Sequence, residues 1–208
     1  MQNQDKSPAQ NQDKTPGMVP GDIKTIRISN YPFPIAFCYQ KILESSTNGS
    51  KLKAVFETYE STINYVSLIL LSVYYGNQKK IAQLDILAKK LEAPTFEDWF
   101  NFFQAAINQL PENLEIVSAI KKWYVSAEEK RKIYLQEIKN YKKIDREVGL
   151  ISNLYEIEKN ILPIITIMLE DELQSYLNFC QNQLDKILYD FESLCSYGLY
   201  YADTVTPE

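Results

Sequence analysis

Residues 65–75 read YVSLILLSVYY, the most apolar run in a chain of 208 residues. As a helix, these 11 residues are too short to cross the hydrocarbon core of a bilayer. Ser67 and Ser72 interrupt the run, so it predicts a buried helix rather than a membrane span. Upstream, Leu52, Val55, Phe56, Tyr59 and Ile63 recur at helical spacing, which extends the element to residues 51–75. Its first half is amphipathic. Its second half is apolar on nearly every side, and such a helix is expected to be enclosed by others. Gly76 and Asn77 end it, with Gly76 suited to a left-handed cap. Before it, residues 47–50 (TNGS) predict a turn with Ser50 as the N-cap.

The flanking sequence also reads as helices. In YPFP, residues 31–34, two prolines disfavour helix up to Phe33, and Pro34 can then open one. A helix over 34–45 would place Phe37, Cys38, Tyr39 and Ile42 near a core face. A shorter helix is predicted over 79–91. Ala93-Pro94-Thr95 breaks the pattern, and Thr95 then reads as an N-cap with Asp98 completing a capping box. Phe96, Trp99, Phe100 and Phe103 make an aromatic stripe suited to core packing, and Pro111 ends that helix. Over 113–147 a long helix carries Leu114, Val117, Ile120 and Tyr124 on one face, with Trp123 beside it. Tyr134, Ile138, Tyr141 and Val148 continue the stripe, and Gly149 interrupts it. The last helices are predicted over 150–161 and 163–194. Two segments have strand-like composition, IKTIRIS at 23–29 and SYGLYYADTV at 196–205, and they would pair as a small two-stranded sheet beside the helices. The fold class is therefore all-α, an antiparallel helical bundle forming a single domain over 23–208. Residues 1–22 form a polar tail in which QNQDKSP recurs as QNQDKTP with a period of eight. Such a composition cannot offset the entropy of ordering.

Composition narrows the function. The chain contains no histidine. This removes the side chain most used for proton transfer near neutral pH, and the usual partner of a nucleophilic Ser or Cys. Cys38, Cys180 and Cys195 are odd in number and lack CxxC spacing, which points to a reduced, cytoplasmic protein without a zinc site. The N-terminus is polar where a secretory signal needs an apolar run. No phosphate-binding loop, nucleophile elbow, HExxH or EF-hand pattern is present. Neither a cofactor nor a membrane partner is expected, and a non-enzymatic role is. The densest acid cluster, Glu170-Asp171-Glu172, falls on consecutive helical positions whose side chains diverge, as in a solvated face rather than a carboxylate pair.

Charge is segregated within a net charge of −5. Residues 121–146 carry nine bases against four acids, whereas 150–208 carry two bases against ten acids. Three readings stay open. Neighbouring antiparallel helices would present two solvated faces. The basic stripe of one chain would meet the acidic helix of another. Single-stranded RNA would lie on the basic stripe, with Lys139, Lys142, Lys143 and Arg146 on phosphates and Tyr134 and Tyr141 stacking on bases. The 15 tyrosines suit either core packing or a contact surface.

Three stretches carry a family resemblance: YPFPIAFCYQKIL at 31–43, LILLSVYYG at 68–76 and APTFEDWFNFFQ at 93–104. Together they resemble the HEPN domains (higher eukaryotes and prokaryotes nucleotide-binding) of bacterial multidomain signalling and defence proteins, over roughly residues 30–200. The resemblance implies an antiparallel helical scaffold. Active HEPN ribonucleases carry an Arg and a polar residue, then a His four to six residues on. Here Lys139-Asn140 would take the first two places, and Ile144, Asp145 or Arg146 falls where the histidine belongs. The resemblance thus implies the scaffold without its usual cut. The leading expectation is a regulatory interaction domain that forms a homodimer or docks to another protein. The alternative is a single-stranded RNA-binding module, or a weak histidine-free ribonuclease, built on Tyr134, Lys139, Asn140, Tyr141, Lys142, Lys143 and Arg146.

Overall fold

The computed structural model describes residues 28–77, 79–129 and 149–195. Among these, seven α-helices pack together: α1 (Phe33–Glu44), α2 (Asn48–Gly76), α3 (Ala82–Lys90), α4 (Phe96–Gln109), α5 (Glu115–Glu129), α6 (Leu150–Ile161) and α7 (Glu170–Phe191). Short 3-10 turns at Leu162–Ile164 and Glu192–Leu194 follow α6 and α7. No helix among the described residues is long and apolar enough to cross a membrane.

The 65–75 run lies in α2, which packs on α1, α4, α6 and α7. Leu52, Val55, Phe56, Tyr59 and Ile63 are all buried, as the spacing predicts. Fully burying a side chain of this size is worth about 1.5–3 kcal/mol, so this stripe contributes substantially to the core. Thr58, Thr62 and Ser67 are buried too. Each hydroxyl donates to the carbonyl four residues back, at 2.7 to 2.8 Å, which satisfies it inside the helix. The expected enclosure of the second half is only partial: Val66, Ile69, Leu70 and Tyr74 face inward, while Leu68, Ser72 and Tyr75 face solvent. No neighbouring helix covers that side among the described residues.

Several boundaries and faces move. Thr47, not Ser50, caps α2, because its Oγ1 accepts the Ser50 backbone N–H at 3.2 Å. The helix therefore absorbs the expected turn. Gly76 is the last helical residue, and no described glycine has positive φ, so the left-handed cap is absent. In α1 the inward stripe is Ile35, Tyr39 and Ile42, spaced to meet α2 and α7. This turns Phe37 outward and leaves Cys38 half-buried. Helix α3 is shorter than predicted and buries only Leu84 and Ala88. In α5 the inward stripe is Val117, Ile120, Trp123 and Ala127. It takes Trp123 into the core and leaves Leu114 exposed and Tyr124 half-buried.

At α4 the predicted capping box is present, with Thr95 Oγ1 accepting from Asp98 N and Asp98 accepting from Thr95 N. Phe100 and Phe103 are buried and Phe96 and Trp99 half-buried. The fully enclosed Phe102 lies outside the predicted stripe. Helix α6 keeps its predicted bounds. Helix α7, however, begins at Glu170, not at Pro163. Pro163 is the middle residue of a 3-10 turn, Ile167 N–H donates back to Ile164 O at 3.0 Å, and the extended backbone of Leu169 separates the two elements. The strand-like segments fall mostly outside the described residues. Their described end, Ile28, accepts from Tyr31 N at 3.1 Å and so closes a turn, and no strand occurs among the described residues. The 1–22 tail and the continuation of the 113–147 helix beyond Glu129 also lie outside them.

Two tyrosines tie the ends of the bundle together. Tyr31 donates to the Leu188 carbonyl at 3.0 Å, and Tyr39 donates to Asp185 Oδ1 at 2.7 Å.

Candidate functional site

Tyr134, Lys139, Asn140, Tyr141, Lys142, Lys143 and Arg146 all lie outside the described residues. What the structure places is the pair of points from which their segment departs and returns. Glu128, near the end of α5, reaches the first turn of α6. Its Oε1 accepts from Ser152 N at 3.3 Å and from Ser152 Oγ at 3.4 Å. A carboxylate there meets the unsatisfied N–H groups and the positive end of the helix dipole. Gly149 makes room for it, since a Cβ at that position would run into the Glu128 carboxylate.

The 170–172 acids have a local role. Glu172 accepts from the Leu169 backbone N–H at 3.3 Å, and Glu170 accepts from Asn48 Nδ2, so these carboxylates close the start of α7.

Two clefts lie on either side of Glu60. The first, about 220 Å³, sits among α2, α4 and α6 and is lined by Glu60, Phe96, Glu97, Tyr155, Glu158 and Lys159, with Leu162 and Pro163 at one end. Its walls are aromatic. Phe96 meets Tyr59 edge-on at 5.5 Å and Tyr155 at 5.9 Å, and Tyr155 lies parallel to Phe100 at 4.1 Å. Glu158 is the anomaly of this cleft: it is 4% exposed, yet neither carboxyl oxygen accepts a hydrogen bond from any donor among the described residues. Burial first, and then the hydrogen bond that its proton makes to the Glu60 carboxyl, hold Glu158 well above the usual carboxylate range. Glu158 therefore keeps its proton at neutral pH. At the rim, Lys159 Nζ lies 3.7 Å from Glu97 and 5.8 Å above the Tyr155 ring.

The second cleft, about 370 Å³, opens between α1 and α2 and is lined by Pro34, Cys38, Ser61, Asn64, Tyr65 and Leu68 along with Glu57 and Glu60. Beside it Phe33 and Phe37, one turn apart on α1, stack at 5.8 Å while 79% and 54% exposed. Lys41 stands 5.1 Å from the Phe37 ring and pairs with Glu57 at 2.8 Å. Burial pushes the Cys38 thiol up, so it is not a thiolate poised for attack.

Sequence reasoning singled out neither Glu60 nor Glu158. One signal was available. Glu158 falls four residues after Leu154 and seven after Ile151, inside the apolar stripe of α6, where a carboxyl must be enclosed. Comparison with protein-family models, curated proteins and solved structures gives no match to the chain.

Proposed function

We propose that the chain is a non-enzymatic helical interaction domain that pairs with a second copy of itself through the outer face of α1. The observation that carries this is the Phe33–Phe37 ladder, two large rings held in solvent beside an apolar cleft. Exposed aromatics so close together are costly in water and are enriched at the centres of interfaces. A two-fold pairing presents the same patch twice, so the ring ridge of one copy meets the cleft between Pro34, Cys38 and Leu68 of the other. Lys41 and Glu57 stand at the rim, where charge sets register more than affinity. The HEPN-like scaffold and a regulatory, cytoplasmic role belong to this same reading. They rest on the order of apolar helices and the Pro-rich entry, and on the number and spacing of the cysteines.

The test is light scattering coupled to size exclusion across a range of protein concentrations. The wild-type chain is expected to shift from monomer to dimer. Phe37→Lys is expected to remain monomeric with an unchanged helical circular dichroism spectrum, because Phe37 supports no part of the core. A wild-type chain that stays monomeric throughout overturns the reading. Binding of single-stranded RNA that weakens steeply with added salt would favour the basic 121–146 segment as the working surface instead.

A further inference from the structure

We propose that the cleft between α2, α4 and α6 binds a short aliphatic diamine, one ammonium of which is held between Glu158 and Glu60. The inference starts from Glu158, buried with two carboxyl oxygens that accept nothing among the described residues. A buried acceptor left unmet costs free energy that a fitting donor recovers. What would meet it is a group with several N–H donors, and a primary ammonium offers three. A quaternary ammonium offers none.

Charge and shape point the same way. Three carboxyls line the cleft, Glu60, Glu97 and Glu158, against the single ammonium of Lys159. Two are left for an incoming dication. The walls between them are the rings of Phe96 and Tyr155 together with Leu162 and Pro163, which suit a short methylene chain. At about 220 Å³ the space lies below the ~300–1,000 Å³ of sites for drug-sized ligands, so the occupant is small. Lys159 supplies an internal precedent, being a tethered alkylammonium that already rests over Tyr155 and beside Glu97. A metal ion is a poorer fit, because no three His, Cys, Asp or Glu side chains among the described residues converge closely enough to hold one.

Binding moves one proton. In the empty cleft Glu158 is protonated. The arriving ammonium replaces that proton, which leaves to solvent, and the Glu158 carboxylate then pairs with the cation. The titratable groups facing Glu158 are Glu60 and Tyr59 from α2, Cys180 from α7, and Glu97, Tyr155 and Lys159 around the cleft. Affinity is therefore expected to rise between pH 6 and pH 8.5, in which range a free alkylammonium stays charged.

The experiment is isothermal titration of the full chain with 1,4-diaminobutane at pH 7.5, in two buffers of different ionisation heat. Butane-1,4-diol and tetramethylammonium serve as controls. Saturable binding of the diamine alone is expected, with release of a proton that makes the heat differ between buffers. Glu158→Gln should weaken it at least tenfold and abolish the buffer dependence while remaining folded by circular dichroism. No saturable binding, equal binding by either control, no proton release, or full affinity in Glu158→Gln would each overturn the proposal. Pairing through α1 is read separately, from the mass at rising protein concentration; the two clefts share Glu60, but Glu158 lines only the first.

Discussion

Glu158 carries a cost that the rest of the core does not. Its proton is retained in the folded chain at a pH where the unfolded chain, with an ordinary glutamate near 4.5, has released it. The sign follows from linkage: stability is full below that value and falls as pH rises above it, by up to about 1.4 kcal/mol per pH unit. Burial holds Tyr39, Tyr59 and Cys180 above their ordinary ranges, and the hydrogen bonds from Thr95 hold Asp98 below its own, so none of these titrates between pH 5 and 8. Urea unfolding at pH 5, 6.5 and 8 should show the wild-type chain weakening steadily, while Glu158→Gln holds a flatter profile and is the more stable of the two at pH 8. Parallel profiles would mean that Glu158 is ionised in the fold. This pair of carboxyls was hard to read in the sequence because Glu60 and Glu158 are far apart along the chain and belong to no motif. Only the fold brings them together, and the sole local sign was a glutamate sitting on an apolar stripe.

Helix existence was legible where chemistry punctuates the chain. Thr95 with Asp98, and Gly149 with Pro163, mark α4 and α6 nearly to the residue, because a cap or a proline acts on the backbone locally. Helix facing was less legible. Which side of α1 turns inward depends on Tyr39 reaching Asp185 in α7, a contact that no local pattern encodes. The start of α7 slipped for a related reason: residues 162–169 are almost uniformly apolar and carry no helical period. The α5–α6 junction makes the energetic point directly. Gly149→Ala puts a methyl where the Glu128 carboxylate sits. The carboxylate can swing aside, but it then gives up the Ser152 N–H and the end of the helix dipole. The expected loss is about 1 kcal/mol, the usual worth of a helix cap. Glu128→Ala should cost a similar amount. The two together should cost little more than either alone, a non-additivity that a double-mutant cycle reads directly.

At the scale of the whole molecule, α2 decides the behaviour. It touches α1, α4, α6 and α7, and Tyr59 at its centre donates to the Ile151 carbonyl of α6 at 2.7 Å. Removing it would strip packing from four of the other six helices, although α5, α6 and α7 also pack on one another. Unfolding of the described bundle should therefore be a single cooperative transition. The two tryptophans offer a check. Trp123 is buried with its indole N–H on the Ile187 carbonyl at 3.0 Å, and Trp99 is half-buried on α4. Tryptophan fluorescence and far-ultraviolet circular dichroism should give coincident urea midpoints. Separate midpoints would divide the bundle into independent parts. The clasp of Glu128 on Ser152 has a further bearing on this cooperativity. It holds residues 128 and 152 at one point, so the chain between them begins and ends in the same place. A carboxylate that bridges the end of one helix and the start of the next makes the two ends part together, so α5 and α6 are expected to open as one hinged pair rather than fray singly.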